Sequence, residues 1–481
     1  MKKILIILLG LALVLPLYSQ DYDDYDDDYD YDFWDDGYTA IEETPAPVAE
    51  PAPVAEPASA PIPPAPEPEK KETDSKKKKP ASEKTKADFA RQRFEIGLDF
   101  GVGFDNGLAG LNDILQKKAV IDLTKIAGNI PENGAGLNFD LGFDFFMNVK
   151  NIPIGKGLWD FGFSTNVDGG VGLNLPKSLF ELVAEGNAGQ HDASGKISGS
   201  GGVYTEISLA GSAKYKVGGR TLHVGVKPAM YTPAVYISPS SGISYHLSTE
   251  KTIDGEKKEG LFLDTEGEIS VFTATSFDKM EPVRFIYGPS GFDISLEGEY
   301  ALFPFLDVGG SFSHIPLAPA VLTNEMKMGI KPFSVEMIGE ELIGGNEPKI
   351  GELDFDDPTY NDNAKKEVHR PFRFDLYARY KPFNSEFFVL RPNIGFSANV
   401  NKGDEKGYFN AGLELRLNLI NFITLYAGSG YQEEIWRQRI GFGFNLRAFE
   451  LDLQAALRDQ TFEGCFQGRG LEIGLGLRFG W

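Results

Sequence analysis

The chain has 481 residues, including 55 glycines, and 12% of its residues are aromatic; its formal net charge is -23. This acidic excess opposes contact with nucleic-acid phosphates, so we expect no nucleic-acid partner. The single cysteine, Cys465, excludes an intramolecular disulfide framework and a zinc ribbon.

The first residues have the pattern of a secretory signal peptide. Lys2 and Lys3 precede an apolar run from Ile4 to Leu17, and a short polar segment follows it. The run is short for a membrane-spanning helix and its flanks suit export. We therefore predict a signal peptide at residues 1–20.

Residues 21–93 form a tail with three kinds of composition. An acidic block rich in Asp and Tyr comes first, a Pro-rich block follows, and a Lys-rich block ends the tail. Such segments bury too little apolar surface to offset the entropy lost on ordering, so we predict disorder. If the chain is exported, this tail is expected in the periplasm, where it offers a contact for a periplasmic or cell-wall partner.

From Phe94 onward, apolar and polar residues alternate. The pattern is clearest in residues 94–104, 137–145, 372–380, 436–447 and 471–481. Strict alternation predicts β-strands with one apolar and one polar face.

The length of these segments favours a membrane barrel over a soluble sandwich. Many are 9–13 residues long, as a tilted transmembrane strand requires, whereas soluble strands average about 5–6 residues. About seventeen segments qualify, with 242–249 the weakest, and bacterial barrels usually have even strand numbers. The predicted fold is all-β: an antiparallel transmembrane β-barrel of about 14–16 strands at residues 94–481, with short helical segments in its loops.

The C-terminus resembles the closing strand of bacterial outer-membrane β-barrel proteins. Leu471, Ile473, Leu475, Leu477, Phe479 and Trp481 alternate up to the final aromatic residue. In those proteins such an ending is the assembly signal. The resemblance implies that Leu477, Phe479 and Trp481 carry this signal, that the barrel assembly machinery and outer-membrane lipid are partners, and that the chain is located in the outer membrane of a double-membraned bacterium.

Barrel termini normally face the periplasm, which assigns alternate loops to the outside. The long outward loops expected from this rule are 105–136, 176–202 and 339–370, and short helical patterns occur at 111–127 and 177–186. Ser178 and Glu181 have the spacing of a capping box for the second helix. Long barrel loops either fold inward to constrict the lumen or lie over its mouth.

The polar strand faces carry acidic residues early in the barrel and arginines late. Candidate lumen-facing residues are Asp99, Asp140, Asp144, Asp160, Arg373, Arg379, Arg416, Arg439 and Arg447. If acidic and basic residues line separate walls, they create an electric field across the lumen, and the charged walls keep the channel filled with water. The alternative is ion pairing, which forms most easily where the first and last strands meet.

The predicted barrel is porin-like, and its architecture also loosely resembles the outer-membrane long-chain fatty-acid transporter superfamily. Members of that superfamily have about fourteen strands, helical elements in the lumen and a hydrophobic ligand path. The similar features are the helical segments at 111–127 and 177–186 and the stretch Ser313–Leu317. The N-terminal plug of that family is replaced here by the tail, so no ligand residue is carried over.

Two functions follow from these patterns. The first is a channel or transporter that passes small polar or amphipathic solutes. The alternative is a non-conducting anchor or adhesin barrel that uses its surface loops and tail. The five histidines lack metal-ligand spacing, so we expect neither an enzyme nor a metal or other cofactor.

Overall fold

The computed structural model describes residues 94–108, 110, 128, 130–132, 134–185, 192–253, 255–276, 288–336, 356–419, 422–446 and 448–480. All of them belong to one compact unit, Pro80–Trp481. The predicted signal peptide and tail, the predicted helix at 111–127, Arg447 and Trp481 lie outside the described residues.

Strands dominate the described residues, as the alternating pattern predicts. The strands are β1 (Phe94–Asn106), β2 (Ala135–Ile154), β3 (Gly157–Leu175), β4 (Asp192–Val217), β5 (Arg220–Ile237), β6 (Gly242–Ile253), β7 (Glu256–Thr273), β8 (Gly291–Phe303), β9 (Leu306–Ala318), β10 (Ala320–Leu322), β11 (Asn324–Met328), β12 (Phe333–Glu336), β13 (Thr359–Asn361), β14 (Lys366–Val368), β15 (Phe372–Tyr380), β16 (Phe388–Asn399), β17 (Lys406–Leu419), β18 (Ile423–Gln432), β19 (Ile435–Leu446), β20 (Phe449–Asp459) and β21 (Gly470–Gly480). The described helices are α1 (Lys177–Glu185) and α2 (Phe462–Phe466), and neither is long and apolar enough to cross a membrane.

The sheet closes on itself. β1 pairs antiparallel with β2 along one edge and with β21 along the other, from Glu95 opposite Gly480 to Asp105 opposite Gly470. The ring of neighbours runs β1–β2–β3–β4–β5–β8–β9–β15–β16–β17–β18–β19–β20–β21. The β6–β7 hairpin pairs with β4 and β5 and brings the closed sheet to sixteen strands. The predicted antiparallel barrel of about 14–16 strands is confirmed.

The two ends of the barrel differ in their connections. At one end, here called the turn end, β2–β3, β4–β5 and β8–β9 are joined by two-residue turns. Gly218 and Gly219 have φ of 59° and 79°, which the type I′ turn of a tight hairpin requires. β1 begins and β21 finishes at the turn end. The opposite end, the loop end, carries α1, α2 and the longer connections.

The barrel exposes apolar side chains and buries charged ones. Phe100 and Phe161 are 45% and 43% exposed on the outer face, whereas the inward Asp105 and Arg458 are 1% and 0% exposed. A soluble sandwich has the opposite arrangement. The outer apolar band and polar interior are those of an outer-membrane β-barrel.

At the loop end, several strands extend beyond the ring. β7 pairs with β6 on one edge and with β11 and β12 on the other. Residues 324–336 form two short strands, β11 and β12, and the weakest strand candidate, 242–249, is a strand, β6.

The expected loop 176–202 is shorter than predicted. β4 already starts at residue 192, because residues 192–197 pair with β6. The predicted helix in this loop is confirmed as α1, but its capping box is wrong. The helix begins at Lys177, so Ser178 lies within its first turn and not at the N-cap, and Ser178 Oγ donates to Ser194 O at 3.0 Å.

Candidate functional site in the barrel lumen

A short two-stranded ribbon folds inward at the loop end. This inner ribbon consists of β10 and β14, which pair antiparallel from Ala320 opposite Val368 to Leu322 opposite Lys366. The side chains of Ala320, Leu322 and Val368 are fully buried and pack in one cluster with Tyr204 and Tyr231. Because Tyr204 and Tyr231 share the polar face of β4 and β5 with Glu206, the ribbon lies against the inside of the barrel wall.

Arg370, just after β14, fixes the ribbon to this wall. Its Nε and Nη2 donate to the two oxygens of Asp293 on β8, each at 2.8 Å, and its Nη1 donates to Glu206 on β4. The guanidinium also lies 5.0 Å from the ring centroid of Tyr231, and Lys227 Nζ contacts Glu206 at 2.8 Å. Bidentate and charge-assisted bonds of this kind are strong and geometrically specific.

A second attachment joins the ribbon to the β16–β17 loop. Lys366 Nζ donates to Asp404 Oδ2 at 2.6 Å, and Ser238 Oγ donates to Asp404 Oδ1 at 2.7 Å. Burial opposes ionisation of Asp404, but hydrogen bonds from Lys366, Ser240 and Ser238 outweigh it and lower the pKa of Asp404 to about 2. The carboxylate is therefore ionised throughout the ordinary pH range.

A third group of charges occupies the lumen where the first and last strands meet. Arg458 on β20 contacts Asp105 at 2.8 Å and also pairs with Asp140 and Glu472. Arg437 reaches Asp140 at 3.9 Å. The acidic first strands are thus paired with the arginine-rich last strands, since ring closure makes them neighbours. Here the structure contains the ion pairing that was the alternative to separate charged walls.

One ion pair inside the barrel joins β15 to the β18–β19 turn along the inner face of β16 and β17. Arg373 Nη2 lies 3.1 Å from Glu433 Oε1. Glu433 has φ of 52°, a left-handed conformation that a glutamate seldom adopts. Asn410 Oδ1 accepts from the Glu433 N–H at 3.0 Å and holds the turn in place. The strained turn aims its carboxylate at Arg373.

Beside these contacts the lumen keeps an open chamber of about 380 Å3. It lies along β1, β2, β3, β19, β20 and β21. A Cβ added at Gly101 or Gly142 would meet nothing closer than 3.8 Å, so these glycines leave the wall free of side chains. The charged groups that line the chamber are Asp99, Asp144, Asp168, Asp452, Glu472, Arg439 and Arg478.

Three of the predicted lumen-facing residues, Asp99, Asp144 and Arg439, come together at the chamber. Asp99 lies 3.5 Å from Arg478, and Arg439 lies 3.4 Å from Glu472. Asp144 has no hydrogen bond or ion pair to another described residue. Asp140 belongs to the Arg458 group, and Arg373 pairs with Glu433.

The other predicted residues lie towards the turn end. Asp160 pairs with Lys214 at 3.0 Å, and Arg379 contacts Glu299, Asp307 and Glu386. Arg416 lies 5.4 Å from the ring centroid of Tyr426. Arg447 lies outside the described residues. Their role in a pathway stays a prediction.

The sequence analysis did not identify the ribbon attachments Arg370, Lys366 and Asp404 as site residues. Lys366 begins the three-residue strand β14, and Arg370 and Asp404 lie in connections, so alternation gives no information at any of these positions. Arg370 is the single arginine of the acidic loop 339–370 and stands just before the next strand. This position is the one sequence feature that could have indicated an attachment residue.

No catalytic or metal arrangement is evident in the part of the chain that the structure describes. Nδ1 of His314 lies 3.1 Å from the Pro371 carbonyl oxygen, a packing contact near the ribbon. Within the same residues, no three His, Cys, Asp or Glu side chains are placed to hold a metal ion.

No protein-family model matches the sequence, and no curated protein matches it. Solved structures with a similar barrel include the toluene transporter TodX of Pseudomonas putida, with 11% identity, a TM-score of 0.38 and coverage of 81% of this chain and 90% of that one. A FadL homologue of Pseudomonas aeruginosa has 10% identity, a TM-score of 0.36 and the same coverages. The toluene transporter TbuX of Ralstonia pickettii has 10% identity, a TM-score of 0.35 and again the same coverages. Similarity at this level concerns the barrel fold and carries no information about a solute.

Proposed function

We propose that the protein is an outer-membrane transporter whose lumen passes small polar or amphipathic solutes, with the inner ribbon as its gate. The observation that carries the proposal is the open chamber of about 380 Å3 inside the charged barrel. Barrels of about eight strands are filled by their own side chains, whereas wider ones leave space.

The ribbon has the features that a gate requires. It obstructs the loop end. The ion pairs of Arg370 attach it to the wall, the ion pair of Lys366 attaches it to the β16–β17 loop, and an apolar cluster packs beneath it. Exchange of these ion pairs for contacts with water or solute releases the ribbon without breaking the closed sheet. On this proposal, the solute displaces the ribbon and then enters the chamber.

The lining of this path suits amphipathic solutes as well as polar ones. Tyr204, Leu322 and Val368 provide an apolar surface at the ribbon, and Asp144, Asp168 and Arg439 provide charges in the chamber. A solute with one apolar and one polar part meets both kinds of surface in turn.

A sealed anchor or adhesin barrel is the competing function. The Arg373–Glu433 pair inside the barrel favours it, because such pairs fill the interior with side chains. On either proposal the turn end and the tail face the periplasm, where the tail meets a periplasmic or cell-wall partner.

Solute uptake into proteoliposomes separates the two functions. The full mature chain is reconstituted, and the entry of zwitterionic, anionic, cationic and uncharged amphipathic solutes of similar size is followed. A transporter admits at least one class faster than empty liposomes do, and Arg370→Met increases that rate because it frees the ribbon. A folded barrel that admits none, with or without this substitution, supports the anchor.

A further inference from the structure

The outer surface of the barrel carries a groove that the proposed transport path does not use. The groove encloses about 590 Å3 across β16 to β21. Leu413, Ile440 and Leu457 form part of its walls, and the small residues Ala427 and Ala455 leave space between them. Ala427 and Ala455 are the cross-strand neighbours of Ile440 on its two sides.

The lining residues show that the groove opens to the membrane. Ile440 and Leu413 are 66% and 51% exposed. They alternate with Arg439 and Glu414, which lie on the polar inner face of the strands. The groove therefore lies in the apolar band that contacts lipid.

Aromatic side chains mark the loop end of the groove. Trp436 packs against Tyr431 and Phe462 at centroid distances of 5.1 and 5.3 Å, and Phe462 packs against Phe466 at 5.4 Å. Phe466 lines the groove itself and is 63% exposed. Aromatic girdles of this kind lie at the level where lipid headgroups meet acyl chains. The groove thus runs from the interface into the hydrocarbon region.

Two polar side chains, Gln438 and Ser429, interrupt the apolar lining just below the aromatic group. Gln438 faces outward between the inward Arg437 and Arg439, opposite Ser429 and Leu457. Its Nε2 is buried without an acceptor among the described residues, and its amide makes no hydrogen bond to any of them. An unpaired amide in apolar surroundings is costly. At this depth, the acceptors that a membrane offers are the carbonyl oxygens that link acyl chains to headgroups.

We propose that this groove binds the acyl chain of a membrane lipid, with the lipid carbonyl accepting a hydrogen bond from the Gln438 amide. The chain lies between Leu413, Ile440 and Leu457 over the space left by Ala427 and Ala455. The order of groups along the groove, aromatic, amide and then aliphatic, matches the order of headgroup, carbonyl and hydrocarbon in a lipid.

Native mass spectrometry of the full mature chain in detergent tests the site. The probes are dipalmitoyl phosphatidylethanolamine and its ether-linked analogue, which has the same chains but no ester carbonyl. We expect the ester lipid to bind the wild type about three- to tenfold more tightly than the ether lipid, as one hydrogen bond predicts. Gln438→Leu should remove this preference while leaving a weaker affinity for both lipids.

Variants that fill the groove with larger side chains provide a second test of the site. The double variant Ala427→Leu and Ala455→Leu should lose retained lipid, whereas Ala378→Leu on β15 should not. Ala378 is the matched control, since its neighbours Leu376 and Tyr380 on the same strand face are exposed to lipid. Heat-modifiable migration confirms that each variant is folded. The side chains of Ala427, Ala455 and Ala378 lie on the outward faces of their strands, and Ala455 also borders the lumenal chamber.

Three results would overturn the proposal. Equal binding of ester and ether lipids by the wild type would show that Gln438 does not donate a hydrogen bond to the lipid carbonyl. Equal lipid retention by the filled variant and its control would place the lipid elsewhere. A dimer mass that disappears in the filled variant, without any change in lipid binding, would assign the groove to a second copy of the chain.

Discussion

Arg370 and Asp293 form a bidentate ion pair, with both guanidinium-to-carboxylate distances at 2.8 Å and both residues buried. Arg370 belongs to the inward-folded chain and Asp293 to the barrel wall. The pair therefore connects the element that obstructs the lumen with the element that surrounds it. Glu206 shares the same guanidinium, so the loss of Arg370 leaves two buried carboxylates without this partner.

Removal of this guanidinium should destabilise the protein strongly. Breaking a buried ion pair by removing one partner costs about 3–5 kcal/mol, so Arg370→Met should lower the free energy of unfolding by about that amount in a urea titration. The triple variant Arg370→Met, Glu206→Gln and Asp293→Asn should recover part of the loss, because no buried carboxylate is left without a partner, whereas the more exposed Lys227 loses its contact with Glu206. Wild-type stability of the single variant would show that Arg370 does not hold the ribbon.

The second attachment should respond to acid. The folded pKa of Asp404, about 2, lies below its ordinary value of 3.8, so the ionised carboxylate stabilises the fold above about pH 4. This stabilisation is lost as the pH falls from about 4 to 2. Pepsin cleavage in the ribbon should therefore increase over this range.

Asp404→Asn provides the control for the acid response. Without a titrating group at this position, cleavage of the ribbon should start high and change little between pH 4 and pH 2. A wild-type profile that coincides with that of Asp404→Asn would disprove the role of the Lys366–Asp404 pair.

Arg416 should influence ion selectivity if solutes pass through the lumen. It lies against Tyr426 and donates to Asn418 at 3.2 Å, with no carboxylate within ion-pair distance among the described residues. Arg416→Glu should shift the reversal potential in a salt gradient towards cations. Arg416→Lys keeps the charge and should leave the potential close to the wild-type value. An unchanged potential in the glutamate variant would remove Arg416 from the pathway.

The proposed assembly signal can be tested at Phe479. This side chain is 50% exposed on the outer face of β21 and packs on Phe449 at 5.2 Å. Phe479→Ala should reduce the amount of heat-modifiable barrel in the outer membrane. Phe409→Ala removes an outward phenylalanine that is 60% exposed on β17, outside the closing strand. Equal losses in the two variants would mean that Phe479 contributes only surface contact.

The alternating pattern was sufficient to predict the barrel and the inward face of its strands, because period two fixes which side chains share a face. It failed where pairing does not depend on alternation. Residues 192–197 are rich in small and polar residues, yet they extend β4 because β6 lies beside them. The inner ribbon was not predicted for the same reason, since three-residue strands are too short to show a period.

The positions of charged residues around the barrel could not be predicted from the sequence, for a different reason. Acidic residues are frequent in the first strands and arginines in the last ones. Because these strands are far apart in the sequence, the pattern suggests that the two kinds of charge lie on opposite walls of the lumen. Ring closure places β1 beside β21, so Arg458 meets Asp105 and Arg478 meets Asp99. Distance along the sequence therefore does not indicate distance around a closed barrel.

Single-channel conductance of the full mature chain in a planar bilayer tests the central proposal most directly. The wild type and Arg370→Met are compared after heat-modifiable migration has shown that both are folded. A gated lumen predicts small or infrequent steps for the wild type and larger or longer openings for the variant. Folded barrels that stay silent in both forms would contradict the proposal and identify the protein as a sealed anchor.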